Sequence, residues 1–319
     1  MATMSYSLED LRAAATVVYR HMPPTPQYAW PLLARQTGCT VWAKHENHTP
    51  IGAFKVRGGA YYMHRLVERE PNWTGVIAAT RGNHGQSITL GARGQGLDAV
   101  IVVPAGNNPE KNDAMEAQGA ELIVHGADFQ DAVGHAKALA VERRLHMVPS
   151  FHRDLILGVA SYALELFEGA DALDAVYVPI GLGTGICGVI AARNALGLKT
   201  EVIGVQAKGA PSYALSFEAG QPVSTNAADT FADGLATRVP VAEAVDIVNR
   251  DAARIVTVDD DAILDAQRHL LRATHNLAEP AGAAPLAALL AERKRMVGKT
   301  VGIVISGGNA DAENIRLLA

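Results

Sequence analysis

The sequence predicts an α/β protein in two domains, each a twisted, mostly parallel sheet flanked by helices. Two observations carry this expectation. Short β-branched apolar runs alternate with longer Ala/Leu-rich stretches, the pattern of strands joined by crossover helices. The 319 residues are also 49% hydrophobic, enough for one large core or two moderate ones.

In chain order, the first such strand is Val76 to Ala79, followed by a turn at Gly82 and a helical stretch from Gln86. Val100 to Val103 is the second, and Pro104 to Asn108 is its breaker-rich loop. Leu122 to Val124 is the third, with a helical pattern running on through Val141. Together they make a small domain at 75–147, near the lower end of domain size and expected to be mobile. A second series comprises Ala175 to Ile180, Val202 to Gln206, Ile255 to Val258 and Val301 to Ile305, each with a helix before or after it. It belongs to a larger body made of 1–74 and 148–319. No solenoid-type repeat, low-complexity tract or long linker interrupts the pattern. The chain stops soon after the Val301 strand, so an appended regulatory domain, and feedback control through one, is not expected.

The formal charge is -5, with Lys and Arg scattered, so no basic stripe marks a nucleic-acid or acidic-membrane surface. Small molecules are the expected partners. Cys39 and Cys187 cannot build a disulfide framework, and no Cys/His ligand spacing occurs, which fits a reducing compartment. The N-terminus lacks the basic start, apolar run and cleavage site of a signal peptide, and no run approaches the ~18 apolar residues of a membrane span. The protein is therefore expected to be cytoplasmic.

Four segments could carry chemistry. In Thr49 to Ala60, Lys55 follows Phe54 within a Gly- and Pro-punctuated stretch that runs into a helix. An isolated lysine there is ordinarily a solvated helix-start residue; in a dry cleft, desolvation would lower its pKa and let it form a Schiff base. Thr80-Arg81-Gly82-Asn83-His84-Gly85-Gln86 follows the Val76 strand, where exposed N–H groups and a helix dipole can bind a carboxylate. The plainer account is a strand-to-helix turn with a capping Asn and a structural His84. Pro179 to Gly188 holds four glycines in eight positions, letting backbone approach a phosphate. Gly183, Gly185 and Gly188 also satisfy G-x-G-x-x-G, but the next strand ends in Gln206 rather than the Asp or Glu that holds a dinucleotide ribose. Ser306-Gly307-Gly308-Asn309 closes the last apolar strand and alone reads as a Gly-Gly turn.

In this order and spacing, the four segments resemble the fold type II family of pyridoxal phosphate (PLP) enzymes, with its tryptophan synthase β-like architecture, and within it the threonine dehydratase and serine racemase/dehydratase branch. Asp233-Gly234-Leu235-Ala236 and Glu279-Pro280-Ala281-Gly282-Ala283 are similar to two further family motifs, so that the likeness covers roughly residues 8–312. The resemblance implies that Lys55 is the Schiff-base lysine, with Phe54 packed beside the cofactor ring. It implies that Asn83 bonds the phenolic oxygen, that Gly181, Gly183, Thr184 and Gly185 hold the phosphate, and that Ser306 faces the pyridine nitrogen. The turn of Thr80, Arg81, Gly82, Asn83 and His84 would receive the substrate carboxylate. The implied activity is elimination of water from a β-hydroxy-α-amino acid, threonine- or serine-like, giving a 2-oxo acid and ammonia. An amino-acid racemase is the neighbouring alternative, and an NAD-binding oxidoreductase the one from another class. A homodimer or homotetramer is the implied assembly.

The sequence departs from the family at several points. The glycine loop reads Gly-Leu-Gly-Thr-Gly, with Leu182 inside it. Where cation-dependent members carry two carboxylates, this chain has Gln206, Ala210 and Ser212, so no divalent metal is expected. Phe151-His152-Arg153-Asp154 and the following Gly158-Val159-Ala160-Ser161 depart from the family's usual Gly-Gln-Gly-Thr region near the substrate. Arg81 stands where small residues are usual, a surface arginine or a substrate contact, and leaves phenylserine or 3-hydroxyaspartate open as substrates. In the racemizing relatives that position supplies a serine hydroxyl.

Overall fold

The computed structural model describes residues 6–319. Among the described residues there are ten strands: β1 Gln27–Ala29, β2 Thr40–His45, β3 Gly75–Ala79, β4 Asp98–Val103, β5 Glu121–Val124, β6 His146–Met147, β7 Ala175–Pro179, β8 Glu201–Ala207, β9 Arg254–Val258 and β10 Thr300–Ile305. They form two sheets, ordered β1-β2-β10-β7-β8-β9 and β5-β4-β3-β6. Every pairing is parallel except β1 with β2. This is the α/β architecture expected.

The chain divides into two compact units. The first takes 24–54 and 160–319 together with residues up to 11, and holds the six-stranded sheet. Its central strands are buried on both faces and therefore read as unbroken apolar runs. The helix Pro280–Ala291 is apolar all round, and Ala283, Leu286 and Leu289 join Tyr177, Val205 and Ile303 in one core.

The second unit takes 12–23 and 55–159. Strand alternation sorts its sheet into two faces: Val76, Ala78, Ile101 and Val103 on one, Ile77, Ala79, Val100 and Val102 on the other. Met63 and Leu66 of the helix Lys55–Arg69 share the first core with Val148 and Leu155. This unit thus encloses the 75–147 span and extends past both its ends.

β1, β2 and β6 have no counterpart in the apolar pattern. β1 and β6 are two or three residues long. β2 ends in Lys44 and His45, both buried. Lys44 survives burial because its ammonium meets Glu165 at 2.5 Å and the Thr25 carbonyl at 2.8 Å. His45 accepts the Trp30 indole N–H at Nε2, 3.0 Å, while its buried Nδ1 has no partner. Burial first, then the neighbouring His48, lowers its pKa to about 4. A histidine held below its unfolded value is neutral in the fold, so its stability contribution is complete above about pH 6.5 and is lost as pH falls toward 4. The loss should be on the order of 3 kcal/mol. Urea unfolding at stepped pH should show it, and His45→Gln should flatten the acid slope; an unaltered slope would refute this account. Among the described residues no helix is long and apolar enough to cross a membrane.

Candidate active site

In the first unit, β7 ends at Pro179 and the chain turns through Ile180–Gly183 into the helix Thr184–Ala195. Gly183 caps that helix with φ 99°, a left-handed conformation in which a side chain is strained. A Cβ at Gly181 would lie 2.4 Å from the Gly234 carbonyl oxygen. The N–H groups of Leu182, Gly183, Thr184 and Gly185 make no hydrogen bond to any described residue. They form a cradle of donors at a helix N-terminus, with glycine wherever a Cβ would intrude, which suits a phosphate. Leu182 disturbs nothing: its φ is not positive and its side chain is 36% exposed.

The loop Ser306–Asn309 is tied to the segment before Lys55. Phe54 N–H donates to the Ser306 carbonyl at 3.0 Å, Gly308 N–H to Gly52 at 2.9 Å, and Asn309 Nδ2 to Ile51 at 2.8 Å. Ser306 is buried, and the Phe54 ring stands edge-on to Tyr162. Two paired backbone segments therefore hold the residue before Lys55 against the serine that follows β10.

In the second unit, Lys55 opens the helix Lys55–Arg69, and its carbonyl accepts the Ser87 hydroxyl at 2.5 Å. Ser87 lies on the helix Asn83–Arg93, which follows β3 and starts at Gly82 without a side-chain cap. This bond joins the first turn of the lysine helix to the helix that begins with Asn83 and His84. Thr80 is buried, and its hydroxyl accepts the Gly82 N–H at 3.3 Å. The His84 Nε2 is sealed from solvent without a partner. Burial, then the charge of Lys55, pushes its pKa down to about 4, so the imidazole is neutral near pH 7. Arg81 is exposed, and its guanidinium makes no hydrogen bond or ion pair with any described residue.

Residues 18–307 match the family described as pyridoxal-phosphate dependent enzyme. The chain belongs to that family. The glycine spacing at 183–188 is accordingly a loop of a PLP-family member rather than a dinucleotide fingerprint. The chain is 32% identical over 315 residues to a biosynthetic L-threonine dehydratase of Pasteurella multocida, covering 98% of this chain and 61% of that protein. It thus spans about three-fifths of that relative's length. An L-threo-3-hydroxyaspartate ammonia-lyase of Saccharomyces cerevisiae is 30% identical over 97% of this chain and 95% of its own. Among solved structures, maize serine racemase superposes with TM-score 0.92 at 26% identity, over 98% of this chain and 96% of that one.

PLP is the cofactor of the family, and the glycine cradle fits its phosphate. Two of the positions expected to lack the cation site's carboxylates, Gln206 and Ser212, make internal bonds. The Gln206 side-chain oxygen accepts the N–H groups of Tyr213 and Ala214 at 2.9 and 3.0 Å, and Ser212 donates its hydroxyl to the Thr237 carbonyl at 2.8 Å. Ala210 is buried. The Phe151–Asp154 segment starts the helix Arg153–Gly169. His152 Nδ1 accepts the Asp154 N–H at 3.1 Å, and the Asp154 carboxylate pairs with Arg69. Sequence reasoning missed Tyr162 and Tyr213, which bond the glycine loop from 23 and 31 residues away and carry no local signal; Gly234 lies in a motif singled out above, but its approach to Gly181 could not be read from it.

Proposed function

We propose that this protein is a PLP-dependent dehydratase, an ammonia-lyase that converts a β-hydroxy-α-amino acid to a 2-oxo acid and ammonia. The hydrogen bond from Phe54 N–H to the Ser306 carbonyl carries this reading. It puts the serine expected at the pyridine nitrogen one peptide away from the expected cofactor lysine, and that serine offers a hydroxyl where a carboxylate would favour a long-lived carbanion. PLP supplies an electron sink for the Cα–H bond pair.

The chain's own groups do the rest. The Lys55 amine takes the Cα proton. Gly181, Gly183, Thr184 and Gly185 hold the phosphate, Phe54 packs beside the ring, and Asn83 bonds the phenolic oxygen. The turn from Thr80 through Gly82 to His84 takes the substrate carboxylate. Because His84 is neutral, attraction there comes from backbone N–H groups and the helix dipole rather than an imidazolium. Arg81 adds a permanent cation at the rim and makes 3-hydroxyaspartate and phenylserine substrates to test beside threonine and serine. The yeast relative named for 3-hydroxyaspartate supports including the acidic one.

The racemase reading draws support from the maize structure, but a racemase needs a second group that gives a proton to Cα from the face opposite the lysine. Arg81 stays protonated and cannot alternate as acid and base. Incubation with the four amino acids, followed by 2-oxo acid assay and chiral analysis of the residue, is expected to show elimination exceeding racemization on the best substrate. Racemization outpacing elimination would overturn the dehydratase reading, and Arg81→Ser should raise the racemization share.

The bonds made by Gln206 and Ser212 favour a metal-independent enzyme. Exhaustive chelation should leave activity and melting temperature nearly unchanged, and a large loss restored by magnesium or calcium would contradict this. We also propose a homodimer or homotetramer, which sedimentation of the holoenzyme would test.

A further inference from the structure

Two tyrosine hydroxyls hold the carbonyl side of the glycine loop. Tyr162 donates to the Gly185 carbonyl at 3.1 Å, and Tyr213, from the helix Ser212–Ala219, donates to the Leu182 carbonyl at 2.9 Å. Tyr213 is itself held in place by its surroundings. Its ring is buried, its hydroxyl accepts the Val241 N–H at 3.3 Å, and its backbone N–H is bound by the Gln206 side-chain oxygen at 2.9 Å. Burial raises its phenol above the ordinary range, so it remains a donor at any working pH.

The consequence follows from peptide geometry. In a planar trans peptide, the Leu182 C=O and the Gly183 N–H point in opposite directions. Holding the carbonyl on Tyr213 therefore aims the Gly183 N–H away from Tyr213. Glycine at 183 rotates its flanking peptides at little steric cost, so an anchor outside the loop is needed to keep one orientation.

We propose that Tyr213 is a positioning residue for the cofactor phosphate: its hydroxyl, through the Leu182 carbonyl, keeps the Gly183 N–H turned toward the anion, and Gln206 seats Tyr213 for that task. This rests on the reading that the glycine loop takes the phosphate. Tyr213→Phe removes one hydroxyl and conserves the ring.

The test compares two ligands on the same protein. Holoenzyme is stripped of cofactor and titrated, by visible absorbance, with PLP and with pyridoxal, which lacks the phosphate but can react with the same lysine. Tyr213→Phe should weaken PLP roughly 2- to 12-fold, the range of one net hydrogen bond, and leave pyridoxal unchanged. Equal weakening of both ligands would mark a general structural role, and unchanged PLP affinity would mark none; either overturns the proposal. Gly183→Ala isolates the underlying reading. If it weakens PLP selectively while Tyr213→Phe does not, only the Tyr213 proposal fails. If both ligands respond alike to Gly183→Ala, the glycine loop is not the phosphate site.

Discussion

Lys55→Ala is expected to lose roughly a thousandfold or more of the 2-oxo acid production, and with it the visible absorbance of lysine-bound PLP. Two functions converge on this one amine: covalent attachment of the cofactor and removal of the Cα proton. Neither has a substitute nearby, since His84 cannot form a Schiff base and is a weak base, its pKa pushed down to about 4 and its Nε2 sealed, while Arg81 stays protonated. The fold should tolerate the change. The contact anchoring this helix turn uses the backbone carbonyl of residue 55, which still accepts the Ser87 hydroxyl, and alanine favours a helix start no less than lysine. Unfolding midpoints of the two proteins, both without cofactor, should therefore agree closely. Near-normal turnover in the variant would remove Lys55 from the mechanism, and with it the proposed site.

Gly181→Ala is the second large effect. The added Cβ would sit 2.4 Å from the Gly234 carbonyl, a backbone atom that cannot swing aside as a side-chain end can. Overpacking of this kind costs about 1–3 kcal/mol, and here the loop itself must move to relieve it. If the loop holds the phosphate, PLP affinity should fall roughly 10- to 100-fold. Leu182→Gly supplies the contrast. Position 182 has no positive φ and an exposed side chain, so restoring a glycine there should change PLP affinity by about twofold or less. Equal responses at 181 and 182 would show that the Gly234 carbonyl does not shape the cradle.

Sequence reasoning was strongest where pattern and structure share a cause. β3, β4, β7, β8 and β10 are buried strands whose apolar runs follow from having both faces covered, and their expected positions differ from the observed ones by a residue or two. The Thr80–Gln86 turn, the glycine loop and the Ser306 loop follow the ends of such strands, so their placement could be read with them. β2 could not, because Lys44 and His45 look like surface residues until Glu165 and Trp30 are found against them.

By itself, the sequence determined the α/β class, the family and the candidate residues, because strand burial, turn-forming glycines and a lysine after an aromatic residue are local properties of the chain. The tertiary structure alone decided how those residues are held. Ser87 reaches the Lys55 carbonyl from 32 residues away, Tyr213 reaches the Leu182 carbonyl from 31, and the Gly234 carbonyl makes glycine necessary at 181. It also decided that His84 is neutral, since a pKa follows from burial and neighbouring charge. Such effects depend on which distant groups packing brings together, and no local spacing encodes them.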